Sequence, residues 1–132
     1  MNSKAVEALY KAKCARNHKW IKGSLVCENT ILWTDHSQVP KDVKLVKENR
    51  VLNFDTVIPE TVCSYIGCKD KTGRRIFLHD VLEYEFLGEV IRYVVKWEQS
   101  ELRYILEEPK TGSIYYGLPH NLKVIGNIYD LV

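Results

Sequence analysis

No apolar run in this 132-residue chain approaches the roughly 20 residues that cross a bilayer. The opening stretch, MNSKAVEALYKAK, has no apolar signal-peptide core. Both absences lead us to expect a cytoplasmic protein with no membrane partner. Cysteine is sparse, with four residues at 14, 27, 63 and 68 and no CxxC spacing. Without a secretory signal, the expectation is four reduced thiols rather than a disulfide framework. Structural zinc calls for two tight ligand pairs, and only Cys63 and Cys68 come near one, so no metal and no cofactor are expected. GxSxG, HExxH and paired acidic motifs are absent. His18, His36, His79 and His120 sit in no catalytic pattern. His79-Asp80 are adjacent, so on a strand they point to opposite faces. The expectation is a protein that is not an enzyme.

What is present is an ordinary globular composition. Hydrophobic residues make up 45% of the chain, so a core can be buried, and this length suits a single domain over 1–132. Charge is uneven along it. Residues 1–75 carry 14 basic and 8 acidic side chains, net +6, whereas 76–132 carry 5 and 9, net −4. The basic half admits nucleic acid or an acidic partner, although no base-reading motif accompanies it.

The C-terminal half reads most clearly. In DVLEYEF (80–86), Leu82, Tyr84 and Phe86 alternate with Val81, Glu83 and Glu85, the period of a half-buried strand. Leu87-Gly88 is a two-residue hairpin loop, with glycine supplying positive φ. In EVIRYVVKWE (89–98), Ile91, Tyr93, Val95 and Trp97 share one face. A strand over 102–107 places Leu102, Tyr104 and Leu106 inward. The turn EEPKTGS and further strands near 114–117 and 121–129 follow. The pattern predicts a mainly β fold, an antiparallel meander closing into a small barrel or rolled sheet over 61–132.

The N-terminal part, 1–60, is a hairpin and loop region. Ser3 to Tyr10 makes either one short helix or a direct lead into a strand. KWIKGSLVC (19–27), anchored by Trp20, and TILW (30–33) read as strands, 35–49 as a polar loop, and 50–67 as strand at each end of Pro59.

GCKDKTGRR (67–75) brackets four basic side chains between and beyond two glycines. A phosphate-binding P-loop needs four residues between its glycines, then Lys and Ser/Thr, then a helix. Here five intervene, Arg74-Arg75 follow, and no helix does. Asp70-Lys71-Thr72-Gly73 instead has the composition of a type I turn, with Asp first and Gly fourth. Asp70, Thr72 and Gly73 are expected to make a surface turn, with Lys69, Lys71, Arg74 and Arg75 facing solvent wholly or in part.

Around that turn, PETVCSYIGCKDKTGRRIFLHDVLEYE (59–85) resembles the segment that marks YopX family proteins of bacteriophages and prophages. That segment runs Asp-Pro-Glu-Thr-Val, Gln-Tyr-Thr-Gly-Leu-Lys-Asp-Lys-Asn-Gly-Lys, then Ile-Tyr/Phe-Glu-Gly-Asp-Ile-Val. VVKWE (94–98) is similar to the family's Val-Lys-Trp-Asp/Glu strand, and KVIGNIYDLV (123–132) to its Val-Ile-Gly-Asn-Ile-Tyr-Glu-Asn ending. KAKCARNHKWIKGSLV (11–26) looks like its opening hairpin. The resemblance covers most of 10–132. It implies a mostly β protein with an SH3-like rolled sheet in the C-terminal part, and a phage-derived accessory role in the bacterial cytoplasm without assigned chemistry. Two places depart: Leu78-His79 replaces the family's Glu-Gly, and Ile66-Gly67-Cys68 its Thr-Gly-Leu. Loss of glycine at 79 predicts an altered bend into the strand.

A binding module is therefore expected, taking a host or phage protein, with inhibition of a host system as one form of that role and homo-oligomers allowed. Nucleic acid is the alternative partner. Candidate contacts are Lys69, Lys71, Arg74 and Arg75, together with Tyr115-Tyr116, of which a strand must turn one outward. Trp20, Tyr84, Tyr93, Trp97 and Tyr104 follow the alternation and read as core.

Overall fold

The computed structural model describes residues 9–35, 51–117 and 121–132. Among these, eleven strands and no α-helix occur, and the strands of each hairpin pair antiparallel, as do Asp80–Phe86 and Lys123–Asn127. The short helix considered for Ser3–Tyr10 falls almost wholly outside the described residues, and Tyr10 itself opens a strand. The polar loop after Asp35, with His36, and also His120 lie outside them too. No helix among the described residues is long and apolar enough to cross a membrane. The chain divides into two units, residues 1–62 and 63–132.

The first unit is a run of hairpins: β1 (Tyr10–Lys13), β2 (Trp20–Cys27), β3 (Thr30–Asp35) and β4 (Val51–Thr56). Each strand pairs with the next, as in Lys13 with Trp20 and Trp33 with Asn53. Ala12, Ile31 and Val57 form its buried core, with Tyr10, Ile21, Leu25, Trp33 and Val62 packed against them. A single 3-10 turn at Pro59–Thr61 follows. Thr61 is fully buried and satisfied, since its Oγ1 accepts the Lys13 N–H at 2.9 Å and donates to the Ile58 carbonyl at 2.7 Å. Trp20 is half-buried rather than a core anchor. The ammonium groups of Lys11 and Lys13 lie 4.8 and 5.1 Å from its ring centroid.

The second unit holds a short hairpin, β5 (Cys63–Lys69) and β6 (Arg75–Phe77), and a five-stranded sheet. The sheet comprises β7 (Asp80–Phe86), β8 (Glu89–Glu98), β9 (Arg103–Glu107), β10 (Ile114–Tyr115) and β11 (Lys123–Asn127), in the order β10-β9-β8-β7-β11. Ile76, Leu82, Val95, Leu106, Leu122 and Val124 make the buried core on one of its faces. The opposite face carries the Arg92–Glu83 pair at 3.3 Å and the Lys96–Glu107 pair at 2.5 Å. The sheet is open, with β10 and β11 as its two edges, so the expected barrel does not close. The physical reason is β10. Two residues pair with β9, too few to carry a ladder on to β11.

Two inward assignments also change. Trp97 keeps 42% of its surface exposed and donates its indole N–H to Gln99 at 2.8 Å, because β8 runs past the core at that end. Leu102 sits in the turn at φ 51°, before β9 begins, and is 67% exposed. A left-handed residue closes the turn and cannot also point into the sheet face.

Candidate functional site

The β5–β6 loop is built around one carboxylate. Asp70 Oδ1 accepts the N–H groups of Thr72 and Arg74 at 2.8 and 2.9 Å and the Thr72 hydroxyl at 2.7 Å. Gly73 closes the turn, donating its N–H to the Asp70 carbonyl at 3.0 Å with φ 87°. This is the turn that Asp first and Gly fourth predict. Asp70, however, is not a surface residue. It is 5% exposed, and its Oδ2 accepts the Val124 N–H of β11 at 2.8 Å. Burial pushes its carboxyl up, but hydrogen bonds from Val124, Thr72 and Arg74 outweigh that and hold it below the usual range. The Lys71 N–H adds a bond to the Leu122 carbonyl at 3.0 Å. The loop is thus fastened to the segment entering β11.

Fastening the backbone leaves the basic side chains outside. Lys69, Lys71 and Arg74 are exposed on this tip. Arg75 is half-buried and lies across the Tyr65 ring, 5.4 Å from its centroid, so it is turned from the group.

Beside the tip, the described residues leave the core face of the sheet incompletely covered. A cleft of about 200 Å³ opens there, lined by Tyr84, Tyr93, Tyr115, Asn121 and Leu122. Tyr93 and Tyr115 approach with centroids 5.8 Å apart, and Tyr84 stacks on exposed Phe86 at 6.1 Å and 10°. Burial raises the Tyr93 hydroxyl above its ordinary value, and the Glu108 carboxylate beside it pushes the same way. Leu122 both lines the cleft and accepts the Lys71 N–H, so cation tip and aromatic cleft are contiguous.

The Tyr115-Tyr116 pair separates as strand geometry requires. Tyr115 enters the cleft, while Tyr116 faces out with the Arg103 guanidinium 4.1 Å from its ring centroid. Tyr84 and Tyr93 line the site although alternation reads them as core. They pack on the core and are half-buried. Alternation tells which face a residue takes; it carries no signal for whether another element covers that face.

Comparison with known families adds a decisive observation: the family model described as YopX protein matches residues 9–131. The chain belongs to the YopX family. No curated protein and no solved structure matches it.

In this YopX chain the corner that lacks the family's glycine keeps the backbone of a glycine. His79 adopts φ 70°, in the left-handed region that glycine takes readily. His is among the residues that tolerate the left-handed region better than most, and two bonds fix it there. Its N–H donates to the Val95 carbonyl at 2.9 Å, and its carbonyl accepts the Ile128 N–H at 3.1 Å. The ring meets Tyr129 edge-on at 5.4 Å, which leaves Nδ1 buried and without a hydrogen-bond partner. Burial lowers its pKa, nearby Lys96 adds to this, and Asp80 opposes it. The neighbouring Asp80 is fully buried and structural, accepting the Phe77 N–H at 2.8 Å and the Asn127 side-chain amide at 2.9 Å. Asn127 Oδ1 in turn accepts the Tyr129 N–H at 2.9 Å. The His-Asp neighbours therefore serve the corner.

Cys14 and Cys63 are buried, Cys68 is half-buried and Cys27 is exposed, all as free thiols. No group of three metal-ligating side chains occurs among the described residues.

Proposed function

We propose that this YopX protein is a non-enzymatic accessory protein of phage or prophage origin that works in the bacterial cytoplasm by binding a host or phage protein. Inhibition of a host system is one form that role takes. In this reading the C-terminal sheet is a rolled, SH3-like platform with an aromatic open end. The observation that carries the proposal is the cleft of Tyr84, Tyr93 and Tyr115. Tyrosines supply large contact area at low side-chain entropy cost and a hydroxyl to orient a ligand. Clefts of this kind receive extended segments of other proteins.

The test is capture from the bacterial host with the wild type and with a Tyr84→Ala/Tyr115→Ala variant that keeps its far-UV spectrum. A protein retained by the first and lost by the second is the expected result. Equal retention by both would rule the cleft out.

A second reading, nucleic acid, is favoured by the exposed cations Lys69, Lys71 and Arg74. Contacts to phosphates weaken steeply with salt, whereas an apolar anchor in the tyrosine cleft does not. Salt titration of oligonucleotide binding separates the two.

A further inference from the structure

The charges flanking the tyrosine cleft differ in sign from one side to the other. On the β11 side stand Lys69, Lys71 and Arg74, brought to the cleft wall by the Lys71–Leu122 bond at 3.0 Å and by the Asp70–Val124 bond at 2.8 Å. None of the three has an ion-pair partner among the described residues. Lys123 does not join them: it pairs across from Glu83, on the other face of the sheet. On the far side Glu108 follows Glu107, which pairs across from Val94 next to Tyr93, and shares a neighbouring pocket with Lys110, while Glu89 pairs across from Phe86, the ring stacked on Tyr84.

We infer that the cleft takes an extended protein segment that is acidic at one end, aromatic or proline-rich through the middle, and neutral or basic at the other. This deepens the protein-binding reading and rests on it. The middle of such a segment lies on Tyr84, Tyr93 and Tyr115, its acidic end on the Lys69, Lys71 and Arg74 tip, and its other end toward Glu108 and Glu89. A nucleic-acid strand fits less well. Its phosphates repeat at every step, so a strand long enough to leave the cations meets the two carboxylates. A peptide carries its charge where the sequence puts it, and opposed charges at the two ends of a site fix the direction in which it lies.

The full chain is titrated with three synthetic peptides sharing a Pro-Tyr-Pro centre, one headed by Asp and Glu, one by Lys and Arg, one by Ser, and with oligothymidylate, by NMR. The acid-headed peptide is expected to shift Tyr84, Tyr93, Tyr115 and Lys71. It should bind more tightly than the Ser-headed one and lose that advantage in high salt. The Lys69→Glu/Lys71→Glu variant reverses the order of the acidic and basic peptides, with the acid-headed one weakened by roughly tenfold. Both side chains are exposed and the bonds fixing the loop are backbone bonds or bonds to Asp70, so an unchanged thermal midpoint verifies the fold. Equal binding of all three peptides at the tyrosines would overturn this inference and leave the docking reading standing. Absence of tyrosine shifts with every peptide would overturn both. Oligothymidylate shifting the tyrosines and the tip together, and lost in the same variant, would replace the peptide by nucleic acid.

Discussion

Asp70 joins local and long-range structure through four donors on one buried carboxylate. Asn is nearly the same shape but has one acceptor oxygen and an amide that donates. Asp70→Asn therefore leaves N–H groups unpaired and is expected to lower stability by about 1–3 kcal/mol in urea unfolding. Because the carboxyl is held below its ordinary range, its contribution is whole above about pH 4 and is lost as pH falls through the folded value. His79 titrates in the same sense, although its deprotonated form is the neutral one. Its imidazole is held neutral by burial and by Lys96, so the unfolded chain takes up a proton first as pH falls. Stability is full above about pH 6.5 and decreases below it toward the lower folded value. His79→Asn tolerates the same φ and does not titrate there. Thermal midpoints measured across that range should slope for the wild type and flatten for the variant.

Among elements, the β7–β8 hairpin is the most locally determined. Phe86 pairs with Glu89 around Leu87 and Gly88, whose φ values are 51° and 81°. Two positive φ values in a two-residue loop make a type I′ turn, whose twist matches that of the strands. A Cβ on Gly88 would meet nothing within 4 Å, so the cost of substitution is conformational, not steric. Gly88→Val is expected to destabilise by about 1–3 kcal/mol in chemical denaturation. The β5–β6 hairpin differs in kind. Its turn chemistry is local, yet its register shifts between Tyr65 and Lys69, and β11 holds its loop.

At the scale of the whole molecule, the far-UV circular dichroism spectrum should be of the β type, and one dominated by helix would contradict the architecture. The sequence by itself determined the strands over 80–86 and 89–98, the hairpin between them and the Asp70–Gly73 turn. Side-chain alternation, glycine and turn residues act within a few positions, so local steric rules suffice. It also carried the family, through the 59–85 block and the ending. Only the tertiary structure decided that Asp70 is buried, since its fourth donor lies 54 residues away. The same holds for the open sheet, for Trp97 and Leu102 leaving the core, and for Tyr84 and Tyr93 lining a cleft. Each depends on which element covers a face and where that cover stops. Burial and long-range hydrogen bonding settle this, and no periodicity along the chain records it.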